Sequence, residues 1–324
     1  MAAVCAHVLF HTAPRRLEIR QLPVPRPGTG EVLVRTRFSG ISSGTELLAY
    51  RGEIPQDLAL DDTIDALSGD FRYPFPYGYA CVGEVEGWNG PVFAFQPHQD
   101  IFTARTRDLI PLPDVDLAAA TLFPLVETAL QVTLDADTGY RDRVVVLGAG
   151  VVGLLTALLL QRAGQQPLCA EPQEWRRGVA DSLGLTAVSP DELANEEVPL
   201  VIDATGNPDA PASALRLLAH EGTLLIASWF GTKLVALPLG GDFHRRRLSI
   251  RSTQVSTIPA RLSPKWTPAR RRMAAAELMR ELPLTQLATG VFPFEQAADA
   301  FRALDEGTDG LMHAVLEYDG SAAQ

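Results

Sequence analysis

Hydrophobic and polar residues alternate in short runs through the first third of the chain. RRLEIRQLPV (15–24), EVLVRTRF (31–38), YACVGEVEGW (79–88) and PVFAFQP (91–97) each predict a half-buried strand. Pro/Gly turns such as PVPRPGTGE (23–31) separate them. From Arg143 the rhythm changes. Continuous apolar runs, RVVVLG (143–148), PLCAE (167–171), VPLVIDATG (198–206) and GTLLIAS (222–228), predict buried strands, and RRLSIRSTQV (246–255) adds another. Helical patterns fill the gaps: VVGLLTALLLQRAG (151–164), EWRRGVADSLG (174–184) and a segment from about 208 to 220. Strands alternating with helices imply a parallel, doubly wound sheet. The tail returns to a mixed pattern, with amphipathic helices at 268–283 and 294–307 and a last strand, LMHAVLEYD (311–319). The acidic stretch EIPQDLALDDTIDALSGD (53–70) is only weakly periodic. It reads as a solvated surface loop holding at most one short helix, with a lid over a substrate cleft as the other reading.

A chain of 324 residues suits two domains, and 46% hydrophobic with 21% charged residues is a globular composition. The start MAAVCAHVLF lacks a basic segment and a long apolar core, so no signal peptide is expected. The longest apolar run, VVGLLTALLL (151–160), is too short for a bilayer, which takes roughly 20 residues. A cytoplasmic protein with no membrane partner is the expectation. The net charge of −11, from 28 basic and 39 acidic residues, argues against nucleic acid. Cys5, Cys81 and Cys169 are far apart with no CxxC, which excludes a disulfide framework and a thiolate zinc site.

VVVLGAGVVG (144–153) sets Gly148, Gly150 and Gly153 in GxGxxG spacing after a strand and before an apolar helix, and Glu171 closes the next strand. That context predicts a dinucleotide site. Gly148 permits the tight turn, Gly150 admits the pyrophosphate, and Gly153 lets helix and strand pack. Val151 and Val152 begin the helix whose amides face the phosphates. A carboxylate at Glu171 suits a ribose 2′-OH and repels a 2′-phosphate, so NAD(H) is favoured over NADP(H). Arg176 and Arg177 complicate this, and one of them is expected to stack on adenine or to pair with an acidic neighbour. Thr205 and Gly206, closing VIDATG, are further cofactor candidates.

The order of GISSGTE (40–46), YGYACVGEVEG (77–87), FPLVETALQV (123–132), GAGVVG (148–153), VIDATG (201–206) and FEQAADAF (294–301) resembles the medium-chain dehydrogenase/reductase family over essentially the whole chain. The resemblance implies a GroES-like β-rich catalytic domain at 1–122 and 269–324, interrupted by a Rossmann domain at 123–268. It also implies a homodimer formed through the RSTQV strand. Zinc members of the family carry a cysteine where this chain has Ser42, and a histidine then a glutamate where it has Tyr79 and Ala80. Their third ligand falls near Phe123, with Glu127 the nearest carboxylate, and the four-cysteine lobe is absent. Hydroxyls and rings do not build a zinc site, so no metal is expected. GIS-x-GTE, YGY, PHQ (97–99), ETA (127–129) and STQV (252–255) resemble the zinc-independent branch of bacteriochlorophyllide a dehydrogenase-like alcohol dehydrogenases. The implied reaction interconverts a secondary alcohol and a ketone on a small molecule.

Without a metal, the charge that develops on a carbonyl oxygen needs positioned donors. Tyr79 stands where the family's histidine ligand would be, and its phenol suits an acid role. Thr45 resembles the hydroxyl of the family's proton relay, with Ser42 or Ser43 beside it. His98 titrates in a useful range, and Thr128 stands where the family contacts nicotinamide. Each has a plainer reading: Tyr79 as core, His98 as a turn residue, Glu46 as a partner for an arginine, Thr128 as a helix cap. The basic runs at 244–251 and 269–273 read as a solvated face rather than an anion site. Two other functions fit: C=C reduction of the quinone or enoyl type, and dinucleotide binding without turnover.

Overall fold

In the computed structural model the described residues are 4–194 and 196–319. Residues 1–3 and 320–324, the two ends of the expected catalytic domain, and Asn195 lie outside them. The chain divides into two compact units, one of residues 1–124 with 274–324 and one of 125–273.

Chain order runs β1 (Cys5–Ala13), β2 (Arg16–Pro23), β3 (Glu31–Ile41), α1 (Thr45–Arg51), β4 (Phe75–Pro76), β5 (Cys81–Val85), β6 (Val92–Ala94), β7 (Ile101–Arg105), β8 (Ile110–Pro111) and α2 (Leu117–Ala120). Next come α3 (Phe123–Ala136), β9 (Arg143–Leu147), α4 (Val151–Arg162), β10 (Gln166–Ala170), α5 (Glu174–Ser182), β11 (Thr186–Val188), β12 (Val198–Asp203), α6 (Ala210–Ala214), β13 (Leu218–Ile226) and β14 (Ser249–Ser252). The last elements are α7 (Pro268–Leu278), β15 (Gly290–Pro293), α8 (Ala297–Asp305) and β16 (Ala314–Glu317).

In the first unit the strands are short because the apolar alternation is repeatedly cut by Pro and Gly. β2-β1-β4 form one sheet, and β15-β16-β3-β5-β6-β8 form another, with β7 also on β3. The long strand β3 organises this unit. Its first half pairs with β7, and its second half pairs with β5 and β16. A bulge between Thr36 and Phe38 turns the strand. β3 therefore ends in the middle of the sheet and delivers Ser39 to Ser42 into the interior.

The second unit is a six-stranded sheet in the order β11-β10-β9-β12-β13-β14, with every recorded pairing parallel. Leu147 aligns with Ala170 and with Asp203, so the carboxyl ends of β9, β10 and β12 share one row. The strand order reverses at β9/β12, where such sheets bind ligands. The fold is α/β, GroES-like in the first unit and Rossmann-type in the second.

Three local expectations differ from the structure. Residues 53–70 form turns and no helix, and they are anchored by buried Ile54, Leu60 and Leu67 in a cluster with Leu48, Phe71, Phe75 and Tyr77. The stretch is acidic outside and apolar inside, so it is not a freely solvated loop. The helix expected at 208–220 shrinks to α6 and one 3₁₀ turn, because LRLLAHEGTLLI supplies strand β13 from Leu218. The strand expected at 246–255 is only the four residues of β14. Among the described residues no helix is long and apolar enough to cross a membrane.

Two histidines are locked in the core of the first unit. His11 is wholly buried, stacked on Phe75 at a centroid distance of 5.1 Å, with no hydrogen-bond partner at either ring nitrogen. Burial, and then the neighbouring His98, lower its pKa to about 3. His313 is lowered to about 3 by the same two causes in the same order. Both imidazoles charge near 6.5 in the unfolded chain and resist charging in the folded one. Their contribution to stability is therefore complete above about pH 6.5 and is lost as pH falls from there toward 3. The slope is about 1.4 kcal/mol per pH unit for each histidine. His11→Phe keeps the ring stack and removes one titration, so its denaturation midpoint should fall less than wild type between pH 7.5 and pH 5. Equal falls in the two proteins would show that His11 is not the group responsible.

Candidate active site

The glycine turn of the second unit follows directly from its contacts. Gly148 leaves β9 at φ +93°, a conformation that favours glycine. A Cβ placed on Gly153 would meet the Gly148 carbonyl oxygen at 2.0 Å, so only glycine lets α4 pack so close. At Gly150 the space is open, the nearest atom to such a Cβ being Arg176 Nη1 at 3.6 Å. The turn is thus tight where helix meets strand and empty where a pyrophosphate would lie. α4 begins at Val151, with Val152 half-buried and Gly150 as N-cap, and its first amides are free for an anion. The cradle fits a dinucleotide.

Glu171 is buried beside it. Oε2 accepts the Ala149 N–H at 2.9 Å and Oε1 the Gln173 N–H at 3.0 Å, which ties the carboxylate to the middle of the glycine turn. Among the described residues neither arginine is recorded in an ion pair, the second of the two roles expected for one of them. Arg176 lies over the Trp175 ring, 4.9 Å from its centroid, and Arg177 donates to the carbonyls of Glu171 and Pro172. Thr205 and Gly206 leave the end of β12. Thr205 donates from N and from Oγ1 to Asp203 Oδ1, and Gly206 N–H donates to Ser228 Oγ. Asp203 is wholly buried, and burial pushes its carboxyl up. The sequence reading missed Asp203 and Ser228; their places at the ends of adjacent strands were the available signal. Thr128 lies inside α3 rather than at its start, which removes the capping alternative.

Glu127, the carboxylate nearest the family's third ligand position, turns to Arg271. Arg271 Nε donates to it at 3.0 Å, and the same guanidinium donates to Gln131 and to the Val255 carbonyl. Burial raises the Glu127 carboxyl, and Arg271 followed by Arg272 opposes that. No three His, Cys, Asp or Glu side chains gather as a metal site among the described residues.

In the first unit the hydroxyl loop and its neighbours do come together. Tyr79 is half-buried before β5, and the Ser42 and Thr45 hydroxyls are near enough to act on its phenol. Burial is the main cause that pushes the phenol above its ordinary value, followed by the charge of Glu46. The two hydroxyls pull the other way, and Asp61 adds a little upward. Glu46, in the first turn of α1, is wholly buried. Its Oε1 accepts the Ser42 N–H at 2.9 Å and its Oε2 meets His98 Nε2 at 2.8 Å. Its partner is therefore a histidine rather than the arginine expected. His98 sits in a bend, yet its ring is fully buried, not a surface turn residue. Gly78, at φ +114°, allows this, since a Cβ there would fall 2.6 Å from the ring. His98 Nδ1 meets Ser39 Oγ at 2.7 Å, and Ser39 Oγ meets the Tyr318 hydroxyl at 2.8 Å. Ser39 and Tyr318 were not anticipated. Ser43 is exposed and takes no part in the cluster.

No family model matches the chain. It is 23% identical over 345 residues to the L-galactonate-5-dehydrogenase of Escherichia coli K12, covering 91% of this chain and 94% of that protein. It is 25% identical to the 2-desacetyl-2-hydroxyethyl bacteriochlorophyllide A dehydrogenase of Cereibacter sphaeroides, covering 96% and 98%. The structure of acetophenone reductase from Geotrichum candidum in complex with NAD superposes with a TM-score of 0.78 at 17% identity, covering 100% of this chain and 99% of that one. With the order of motifs and this fold, these likenesses are consistent with the medium-chain dehydrogenase/reductase resemblance over the whole chain. In such a glycine turn the open Gly150 is the position to block. Gly150→Val fills empty space, so the fold should persist while NADH binding weakens at least tenfold, about 1.4 kcal/mol by titration calorimetry. Gly153→Ala should instead destabilise the unit itself. If both variants bind NADH as wild type does, the turn is not a dinucleotide cradle.

Proposed function

We propose that this protein is a zinc-independent, NAD(H)-linked oxidoreductase that interconverts a secondary alcohol and a ketone. The observation that carries the reading is the Tyr79 phenol. By the resemblance it stands where the family has a metal ligand, and it is flanked by the Ser42 and Thr45 hydroxyls and by the buried, negatively charged Glu46. When bound, the nicotinamide supplies or accepts the hydride. The chain's own task is to manage the substrate oxygen. In reduction that oxygen gains negative charge and needs a donor and then a proton. A phenol pushed above its ordinary value stays protonated at neutral pH, so Tyr79 is a hydrogen-bond donor and acid in the reductive direction and a poor base in the oxidative one. Ser42 and Thr45 orient the hydroxyl and share its proton. The hydroxyl relay takes the place that a Lewis acid fills in zinc members.

The dinucleotide preference rests on Glu171. Its carboxylate is fixed to the Ala149 amide, so a 2′-phosphate near the second strand would approach a buried acid. The 2′-OH of NAD(H) has an acceptor there. NAD(H) is the preference we assign.

The experiment is steady-state NADH oxidation with a panel of ketones and keto-sugars, including acetophenone and 5-keto-galactonate, before and after chelation. Elemental analysis accompanies it. The expected outcome is turnover that survives EDTA in protein without stoichiometric zinc, and a higher kcat/KM with NADH than with NADPH. Activity lost with one tightly held zinc per chain would overturn the metal-free reading. Turnover confined to an α,β-unsaturated ketone with NADPH would assign C=C reduction instead.

Tyr79→Phe removes one oxygen and leaves the ring against its apolar neighbours. With the substrate identified above, kcat should fall by about 10²–10³, the size seen when one oxyanion donor is removed, with NADH affinity close to wild type. Wild-type kcat in the variant would make Tyr79 a core residue.

A further inference from the structure

The polar chain behind Tyr79 contains enough hydrogen-bonding groups to fix where its protons sit. It runs from Tyr318 through Ser39 and His98 to Glu46, with heavy-atom distances of 2.8, 2.7 and 2.8 Å, and it ends where Ser42 N–H donates to Glu46 at 2.9 Å. The five residues come from four separate stretches of one unit: β3 with its following loop, α1, the segment between β6 and β7, and the residue after β16. All five are buried.

Tyr318 fixes the direction of the whole chain. Its phenol is pushed well above its ordinary value, mainly by burial, and so keeps its proton. Among the described residues its hydrogen-bond partner is Ser39, so the phenol donates to Ser39 Oγ. The Ser39 proton is then directed to His98 Nδ1, which must be bare to accept it. The imidazole proton lies on Nε2 and is donated to Glu46 Oε2. A doubly protonated His98 would reverse the Ser39 hydroxyl and leave the Tyr318 proton without an acceptor. It would also place a cation near the buried rings of His11 and His313.

We infer that His98 is a neutral imidazole with its proton on Nε2, and that it is a positioning residue. It holds the Glu46 carboxylate, which in turn fixes the Ser42 amide and presents its charge to the Tyr79 phenol. Its link to catalysis rests on the function proposed above; the protonation and the positioning do not. One full negative charge then remains on Glu46. The charged and titratable groups facing Tyr79 are Glu46 from α1, Asp61 from the 53–71 segment and Tyr77 from its own stretch. All of them favour a protonated phenol. His98 thus shapes the donor without passing a proton to substrate, a different role from the acid–base part its titration range suggested.

The test uses the full chain without substrate, so failure to find a substrate leaves it intact. Nitrogen-15 NMR of histidine-labelled protein at pH 8 should show His98 with one bare and one protonated nitrogen, the bare one correlated to Cβ as Nδ1. Two protonated nitrogens, or a bare Nε2, would overturn the inference, and this measurement needs no variant. Positioning is read from the ¹³Cζ signal of Tyr79, assigned with Tyr79→Phe. His98→Gln keeps an N–H aimed at Glu46 and should leave that signal at its wild-type place. His98→Leu removes the donor and should move it toward the signal of an ordinary exposed tyrosine. A signal shifted equally by both substitutions, or by neither, would rule out positioning by the Nε2 proton.

Discussion

A carboxylate buried away from solvent must find its donors within the protein, and Glu46 finds them in Ser42 N–H and His98 Nε2. Much of the first unit can be understood from that requirement. His98 has to be buried to serve, which in turn requires Gly78 to have no side chain. The far nitrogen of His98 needs a partner, which places Ser39 within β3 and Tyr318 after β16. A half-satisfied network of this kind would destabilise the core more than apolar residues would. A complete one gives a rigid backing to the hydroxyls in front of it. The bulged path of β3 serves the same end, since it brings the network and the hydroxyl loop to a single point in the sheet.

The two candidate centres meet the demand for preorganisation differently. The dinucleotide cradle is built by omission: three glycines, one of them allowing a 2.0 Å approach that no side chain permits. The hydroxyl centre is built by accumulation, with two hydroxyls, a phenol, a carboxylate and an imidazole, each held by another. Backbone amides need only a correct turn. A donor to a reacting oxygen needs a fixed side chain, and the fixing groups outnumber the acting one.

That difference decides what the sequence shows. The cradle is local, with turn, helix and second strand all inside 144–171, and the alternating strands and helices around it reported the parallel sheet directly. β1, β4, β7, β8 and β15 lie outside the runs that the alternation marks, and the segment at 53–70 was misjudged because its three anchoring apolar residues follow no period. The hydroxyl loop, Tyr79 and His98 were legible as candidates, and the structure brings them into one unit. The pairing of His98 with Glu46 was not, because 52 residues separate them and a histidine beside a proline has no periodic signature. Ser39 and Tyr318, 279 residues apart, are two ordinary strand-end hydroxyls until the fold joins them. Local chemistry is written in spacing, whereas a buried network is written in topology.

The discontinuity of the first unit has a consequence for the order in which the molecule is made. All six strands of the parallel sheet lie between Arg143 and Ser252, so that unit has its whole sheet once the ribosome has passed them. The first unit has by then presented β1 to β8 but lacks β15, α8 and β16, and so lacks the strand that covers one edge of β3. Until Tyr318 emerges, the Ser39 hydroxyl has no phenol, and an open strand edge stays exposed on the nascent chain. Domains fold largely as units during synthesis, so the second unit can mature early while the first waits for β16 and Tyr318. The hydroxyl cluster is therefore completed only after the whole second unit has been made, a built-in delay that a single contiguous domain would not have.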